Sequence, residues 1–586
     1  MVLSRELMKD THDPITPAPN QTTSDQQLRR LEVGFWVLAI LLGFLHAWAD
    51  HHYLVNADAM SYLDIAEAYL RRDWDTAINA YWSPLYSWLI AFALLVAKPS
   101  PYWKFAVLHL VNFGMYLFAF GCFSFLIREI VRAHREQRSE PGLVTVPDWA
   151  LLALGYSLVI FSNLFLVTVP LESPDMLVAA FVYLATGILV RIRRHPSGWL
   201  AFVGLGIVLG LGFLAKSVML PLTAIFLLGC VFAIGNLRRA LPRVVLVAAL
   251  FLLVIGPFVY AMSRAKGYVT TGRTGRLNYL WAIDEVISAH WQGEEPGSGA
   301  PAHPTRKIFD DPPAFEFAEP VGGTYPVWYD PTYWYEGSVS HFDLRGQLKV
   351  VGKAATSYYE IFQEWGLQYG LAVAIVSLFL LSGRRRLLIY DLKDQWTLLL
   401  PAIGGLGLYA LVNVQGRYVA SFIMLFWLAV FAAVRLPRTP DSERFLKVIM
   451  LVLVGSIILT IVASSTRETA LTLRQVIRGE DPVAHEQWRV AEGLREMGLA
   501  ASDRVVFIGN SHRGFWANLL QLHIVAEIRR DRINDFWEAD ANRKNRLIQA
   551  FAGTGAKAVV AERPPAGTDV TNWRRISQTD YYVYMF

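Results

Sequence analysis

The chain has 586 residues, 54% of them apolar, and a formal net charge of +5. Apolar residues gather in repeated runs of about 16–22, which excludes an ordinary soluble domain and indicates membrane-spanning helices. The positive charge is concentrated in short Arg-rich connections, a pattern of membrane topology and not of a nucleic-acid surface.

Residues 1–30 are polar, lack a signal-peptide pattern and read as a disordered cytoplasmic N-terminus, so the first apolar run stays as an anchor. Spans are predicted over 33–48, 105–127, 149–167, 176–190, 199–214, 218–234, 244–262, 367–381, 396–412, 419–434 and 448–463. The two cysteines, Cys122 and Cys230, both fall inside these runs and give no disulfide framework. With the N-terminus inside, the cytoplasmic connections carry Arg128/Arg132/Arg135/Arg138, Arg191/Arg193/Arg194, Arg238/Arg239/Arg243, Arg384/Arg385/Arg386 and Arg435/Arg438/Arg444/Lys447. The outer connections carry few cations, so the positive-inside rule fits every loop in one orientation. The apolar segment Pro84–Ala97 is short for a span. Counting it would reverse every later loop, and it reads as an interfacial or re-entrant helix on the outer face.

Two outer regions remain. The loop over 263–366 is rich in Tyr, Trp, Pro and Gly. The tail from about 475 reads as a small α/β unit, with strands at 504–509 and 557–562, a second strand within 519–528, a polar helix near 543–552 and a closing strand at 581–586. The predicted fold is thus an α-helical polytopic membrane protein of about eleven transmembrane helices with a small α/β extracytoplasmic C-terminal domain. Its divisions are 1–30, a transmembrane domain at 31–464 with outer loops 49–104 and 263–366, and an extracytoplasmic domain at 465–586.

Four places could carry chemistry. Asn56 to Leu70 has helical apolar spacing and reads as an amphipathic helix on the membrane, with Asp58 at its start, Tyr62 within it and Asp64 on a solvated face. The bland reading of Asp58 is a helix cap. Leu171-Glu172-Ser173-Pro174-Asp175-Met176 puts two carboxylates at membrane depth, where ionisable groups are costly and usually functional, though Pro and Asp also suit a first helical turn. Lys216 stands alone at the outer end of a span, as a snorkelling anchor or a phosphate ligand. Arg417 and Tyr418 open the tenth span, with Arg417 an anchor or a phosphate clamp. Two acids and two bases at one membrane boundary suit a phosphorylated lipid-linked substrate.

In order along the chain come an acid after the first span, Ser83-Pro84-Leu85-Tyr86, Ser173-Pro174-Asp175-Met176-Leu177, Gly212-Phe213-Leu214-Ala215-Lys216 and Gly416-Arg417-Tyr418. This order resembles the GT-C superfamily of membrane glycosyltransferases, in the branch containing lipid A aminoarabinose transferase and protein O-mannosyltransferases. The resemblance covers about 33–262 well and spans eight to eleven loosely. It implies a polyprenyl-phosphate sugar donor, a saccharide, lipid or protein acceptor, and multi-pass placement in a bacterial inner membrane with the active site on the periplasmic or extracellular side. Carried over residue by residue, it implies Asp58 as the catalytic carboxylate, a general base of an inverting transfer, Asp175 as a second catalytic carboxylate, and Lys216, Arg417 and Tyr418 near the donor. Glu172, Tyr62 and Tyr333 are further substrate-binding candidates read from the residues themselves. Relatives often carry Lys or His where this chain has Ser83, which leaves Arg417 or Lys98 to bind the donor phosphate.

Within the long loop, Tyr325, Trp328, Tyr329, Asp330, Tyr333, Trp334 and Glu336 read either as a saccharide surface or as a lid packed on its own aromatics. Gly509-Asn510-Ser511-His512 resembles a nucleotide-binding turn only weakly, and the tail reads as an accessory or acceptor-docking domain. His51, His52, Asp58 and Asp64 lack a fixed metal-ligand spacing, so no metal and no cofactor are predicted. The rival reading is a transporter or lipid flippase, disfavoured because the charges cluster at one face and no inverted repeat is visible.

Overall fold

The structure is a computed structural model. It describes residues 19–49, 51, 54–137, 142–287, 289–317, 322–364, 366–382, 387–478, 485–565, 567–568 and 570–586. Arg138, Arg384–Arg386, His52 and the first part of the predicted N-terminal tail lie outside the described residues.

Each predicted span coincides with a helix: Pro19–Ala49, Lys104–Gln137, Asp148–Phe161 with its π-helical extension Ser162–Leu166, Asp175–Arg194, Trp199–Ala215, Met219–Ile234, Leu237–Lys266, Leu367–Ser382, Trp396–Ala410, Gly416–Ala432 and Pro440–Arg478. By length and composition, six helices among the described residues can cross a membrane, and the remaining apolar helices run 10–17 residues. Helices 148–166 and 175–194 are enclosed by the others. Leu237–Lys266 lies at the rim, where Leu252 and Leu253 are exposed as lipid-facing side chains must be. The chain is a multi-pass membrane protein.

The Arg-rich connections meet in one layer. Glu129, fully buried, is ringed by Arg132, Arg191 and Arg194 at 2.7–3.0 Å. Arg128 pairs with Glu32, and Arg135 pairs with Asp25 and Asp148. Strands β1 (Leu143–Thr145) and β4 (Arg435–Pro437) pair antiparallel and join two of these connections. Asp175 begins the 20-residue helix whose last turn holds Arg191, Arg193 and Arg194. At 1.5 Å per residue, that one helix sets Asp175 about 30 Å from the Arg layer, the thickness of a bilayer core.

The long loop and the tail share one sheet. The loop supplies β2 (Arg306–Asp310) and β3 (Pro313–Glu316). The tail supplies β5 (Arg504–Gly509), β6 (His523–Arg529), β7 (Ala558–Glu562), β8 (Arg574–Arg575) and β9 (Tyr581–Met585), and the order is β2-β3-β6-β5-β7-β9-β8. The centre is parallel, β6-β5-β7, and β3 pairs antiparallel with β6 through Phe315↔Glu527. Strand alternation splits β5 between two cores. Val505 and Phe507 pack toward the bundle beside Phe515 and Trp516, whereas Val506 and Ile508 pack under Phe536, Trp537, Leu547 and Phe551. The sheet read in the tail alone is therefore completed by a distant loop. Loop and tail must lie on one side of the membrane, as the four apolar helices between them require.

Pro84–Ala97 is a 14-residue helix. Near its start, Trp82 Nε1, two residues before the helix, donates to the Tyr329 carbonyl of the loop at 3.1 Å, and Ser87 Oγ in the first turn donates to the Tyr62 carbonyl of helix Asp58–Arg71. Just beyond its far end, Lys104 pairs with Glu67 of helix Asp58–Arg71 and donates to the tail's Asn518 Oδ1 at 2.7 Å. Both ends of the segment thus pack near helix Asp58–Arg71, with the loop at one end and the tail at the other.

Candidate active site on the loop side of the bundle

Asp58 is the first residue of helix Asp58–Arg71, but the capping position belongs to Ala57, and no side-chain capping bond is made. The carboxylate instead faces sideways. Asn56 Nδ2 donates to Asp58 Oδ2 at 3.1 Å, and Arg417 Nη2 lies 3.9 Å from the same oxygen. That last distance is electrostatic attraction and not a hydrogen bond. The side chain keeps 21% of its surface exposed.

Asp175 also begins a helix, and its carboxylate is occupied on both oxygens. Lys216 Nζ donates to Oδ1 at 2.5 Å, Ser173 Oγ donates to Oδ2 at 2.9 Å, and Arg417 Nε lies 3.6 Å from Oδ2. Its side chain is 2% exposed. A carboxylate so buried needs compensation of this kind. Arg417 is the hub: Nε donates to Gln415 Oε1 at 2.9 Å and Nη2 donates to Tyr418 Oη at 3.0 Å. The Tyr418 ring holds Lys216 Nζ 3.9 Å from its centroid and stacks on Tyr409 at 5.3 Å. Three helices and one short connection thereby bring Asp58, Asp175, Lys216, Arg417 and Tyr418 together from distant parts of the sequence.

Glu172 does not open on this cluster. It is fully buried, and its Oε2 accepts the backbone N–H groups of Val55 at 3.1 Å and Asn56 at 2.9 Å, with His109 Nε2 3.5 Å from Oε1. Asn56 returns a bond to the Glu172 carbonyl at 3.2 Å. Glu172 therefore fastens the segment that leads into Asp58. Carboxylate bonds to backbone amides are among the strong hydrogen bonds, which suits a part that must not move.

Tyr62 is buried in the wall beneath the site, with Trp82 and Tyr86 edge-on at 5.0 Å each. Tyr81 also feels these charges. Burial raises its phenol above the usual range, Asp58 and Tyr418 add to the rise, and it stays a neutral hydrogen-bonding group. Tyr81, Trp281 and Trp328 lie with ring centroids 5.8–6.1 Å apart, and His512 from the tail meets Trp328 at 5.0 Å. Tyr333 joins none of these rings. It stacks on His303 at 3.9 Å, and His303 bonds Glu336 at 3.1 Å. The described contacts give it no place at the Asp58 cluster. Lys98, the alternative phosphate ligand, stands at the far end of Pro84–Ala97 from Ser83, about 21 Å along the helix axis, and is likewise outside the cluster.

Asp64 corrects the expectation of a solvated-face residue. It is buried, not solvated. Oδ2 accepts from the Thr324 backbone N–H at 2.7 Å, while Oδ1 accepts from Thr324 Oγ1 at 2.8 Å and Asn518 Nδ2 at 2.6 Å. Burial raises its carboxyl to about 6, against the hydrogen bonds that lower it. Gly323, at φ +83°, permits the approach, since a Cβ there would meet the Tyr329 ring at 2.4 Å. Helix, loop and tail are pinned at this one carboxyl. Periodicity shows an amphipathic helix but not which covering lies on its polar face, so Asn518, Thr324 and Lys104 were illegible from spacing. Asn56, two residues before Asp58, was the partner that local sequence could have offered. Among the described residues, no group of three or more His, Cys, Asp or Glu is arranged to hold a metal ion.

No protein-family model matches the sequence, and no curated protein matches it. Among solved structures, the chain is similar to the Archaeoglobus fulgidus oligosaccharyltransferase in complex with zinc and sulfate, at 11% identity over 90% of this chain and 68% of that one, with a TM-score of 0.47. It is also similar to ArnT from Cupriavidus metallidurans. The apo state gives 11% identity, 96% and 98% coverage and a TM-score of 0.39; the form bound to undecaprenyl phosphate gives 12%, 94% and 97%, and 0.37.

Proposed function

We propose that the protein is an inverting glycosyltransferase that moves a sugar from a polyprenyl-phosphate donor to an acceptor hydroxyl at the loop side of the membrane. The observation that carries this reading is the unequal state of the two acids. Asp175 has both oxygens engaged by cations and a hydroxyl, whereas Asp58 is part-exposed and its Oδ1 has no hydrogen-bond partner among the described residues. Asp58 is the group free to take a proton.

In this reading Asp58 accepts the acceptor hydroxyl's proton as that oxygen bonds to the anomeric carbon, and the bond from that carbon to the lipid phosphate oxygen breaks. Arg417 faces the departing phosphate. Its contacts to Asp58 and Asp175 exceed hydrogen-bond length, so its charge can be redirected without breaking a strong bond. Lys216 supplies a second cation, held in place by Asp175 and the Tyr418 ring. Asp175 thus acts as the counter-ion that positions both cations, and Glu172 with Asn56 aims the base. Fixed charges set where charge develops stabilise a transition state without reorganising during the reaction.

The test is a reaction of the purified protein in lipid nanodiscs with a panel of polyprenyl-phosphate sugars and candidate acceptors, read by mass spectrometry. The proposal calls for a glycosylated product with inverted anomeric configuration and free polyprenyl phosphate. Retention of configuration would remove the single-displacement mechanism. A carrier transported unchanged, with no product from any donor, would favour the flippase reading.

A further inference from the structure

A sizeable cavity lies away from the Asp58 cluster. It is a groove of about 760 Å³ between helix Asp58–Arg71, the end of Pro84–Ala97, the start of Lys104–Gln137 and the tail. Its floor is apolar, from Leu70, Leu94, Leu499, Leu519 and Leu520. Its rim carries four cations, Arg71, Lys98, Lys104 and Arg495, against two acids, Glu67 and Glu492. The acids are spent within the groove: Glu67 pairs with Lys104, and Glu492 with Arg495. Arg71 is 4.0 Å from Glu67, the outer limit of an ion pair, and Lys98 Nζ has no ion-pair or hydrogen-bond partner among the described residues. Two cations are thus left over an apolar floor.

The surroundings show what the groove meets. Phe92, Leu95 and Val96, on the helix that Lys98 ends, are 57–68% exposed, an apolar patch of the kind a membrane protein turns to lipid. Trp74 and Trp103 are exposed nearby, the residue type that marks the headgroup level. The groove therefore opens where acyl chains give way to headgroups. We infer that it binds one anionic phospholipid of the surrounding bilayer, its phosphate between Arg71 and Lys98 and an acyl chain over Leu94 and Leu519. Since one wall is the membrane bundle and the other is the tail, the lipid also seals the tail to the bundle. The site is independent of the transferase reading: its cations are not those of the Asp58 cluster, and its ligand is not consumed.

The experiment uses the full chain in detergent, with native mass spectrometry for bound lipid and thermal unfolding for stability. The probes are phosphatidylglycerol, phosphatidylcholine of the same acyl chains, and inorganic phosphate. One phosphatidylglycerol is expected to bind and raise the melting temperature, with phosphatidylcholine at least about 10-fold weaker and phosphate without effect. The double variant Arg71→Gln, Lys98→Gln alters only exposed side chains; it should lose phosphatidylglycerol binding by at least about 10-fold while melting as the parent does without lipid. Arg417→Ala should leave this binding unchanged. Equal binding of the two lipids, retention in the double variant, loss in Arg417→Ala, or a phosphate effect equal to that of the anionic lipid would each overturn the assignment.

Discussion

Replacing Asp58 by Asn separates a proton acceptor from a structural carboxylate. The structural cost is small. Asp58 makes no capping bond, so what is lost is a negative charge in the first helical turn and a 3.9 Å attraction to Arg417. A charge at a helix N-terminus is worth about 0.3–1 kcal/mol, and a part-exposed ion pair adds about 0–1 kcal/mol. The amide introduced by Asp58→Asn can still accept from Asn56 Nδ2 through its carbonyl oxygen, so that contact can persist. Loss of a positioned general base, by contrast, lowers the rate about 10²–10⁴-fold, which is about 2.7–5.5 kcal/mol in the barrier. Asp58→Asn should therefore melt within a few degrees of the parent, bind donor as the parent does, and transfer sugar at least about 100-fold more slowly. Donor binding would be followed by native mass spectrometry and transfer by product formation in nanodiscs. Turnover within threefold of the parent, at equal donor occupancy, would refute the assignment of the base.

Other variants probe the remaining parts. Asp175→Ala strands Lys216 and Arg417 without their buried counter-ion and should cost about 3–5 kcal/mol of stability, seen as a lowered melting temperature; a variant as stable as the parent would mean the pair is replaceable by water. Lys216→Ala leaves Asp175 with Arg417 and should instead weaken donor binding about 10- to 100-fold, the worth of one charge-assisted contact of about 1.5–3 kcal/mol. Unchanged donor affinity would place the phosphate elsewhere. Asp64 titrates near 3.8 in an unfolded chain and at about 6 in the folded one, because burial outweighs its hydrogen bonds. The folded state holds more protons in that window, so its stabilising contribution is full below about 3.8 and is lost as pH rises through about 6. Melting temperature against pH should show this fall, and Asp64→Asn should flatten it. Single cysteines at the exposed positions Asp310 in the loop and Asp531 in the tail should react with an impermeant thiol reagent from one side and a cysteine at Arg135 from the other, after replacement of Cys122 and Cys230.

Much of the membrane architecture was legible because lipid imposes a strong rule. Backbone groups must pair within each helix, so spans show as apolar runs, and Arg191–Arg194 at the end of one such run marks its side. The residues meeting at Arg417 were legible for a related reason: charges such as Asp175 and Lys216 at the ends of apolar runs are costly there and stand out. What spacing could not show is which of two acids is satisfied. Asp175 and Asp58 both begin helices, and only the positions of Lys216 and Ser173, set by packing, separate the occupied carboxylate from the open one. Glu172 looked like Asp175's twin and proved to be a clamp, since its partners are backbone amides that every sequence possesses. Asp64 was misread for another cause, because its partners Thr324 and Asn518 lie hundreds of residues away.

The sheet shared by loop and tail also fixes a timetable. Tyr325 bonds Glu527 across 202 residues of chain. At about 5–20 residues per second of synthesis, that is a wait of roughly 10–40 s. During it β3 has an open edge, four apolar helices have yet to be inserted, and β6 does not yet exist. A bare strand edge is a template for mispairing, and here it adjoins Phe315 and Phe317, which close on His290 in the finished protein. That edge keeps no partner on its β6 side until about nine-tenths of the chain has been made, and a protein truncated before β5 would be left holding it permanently.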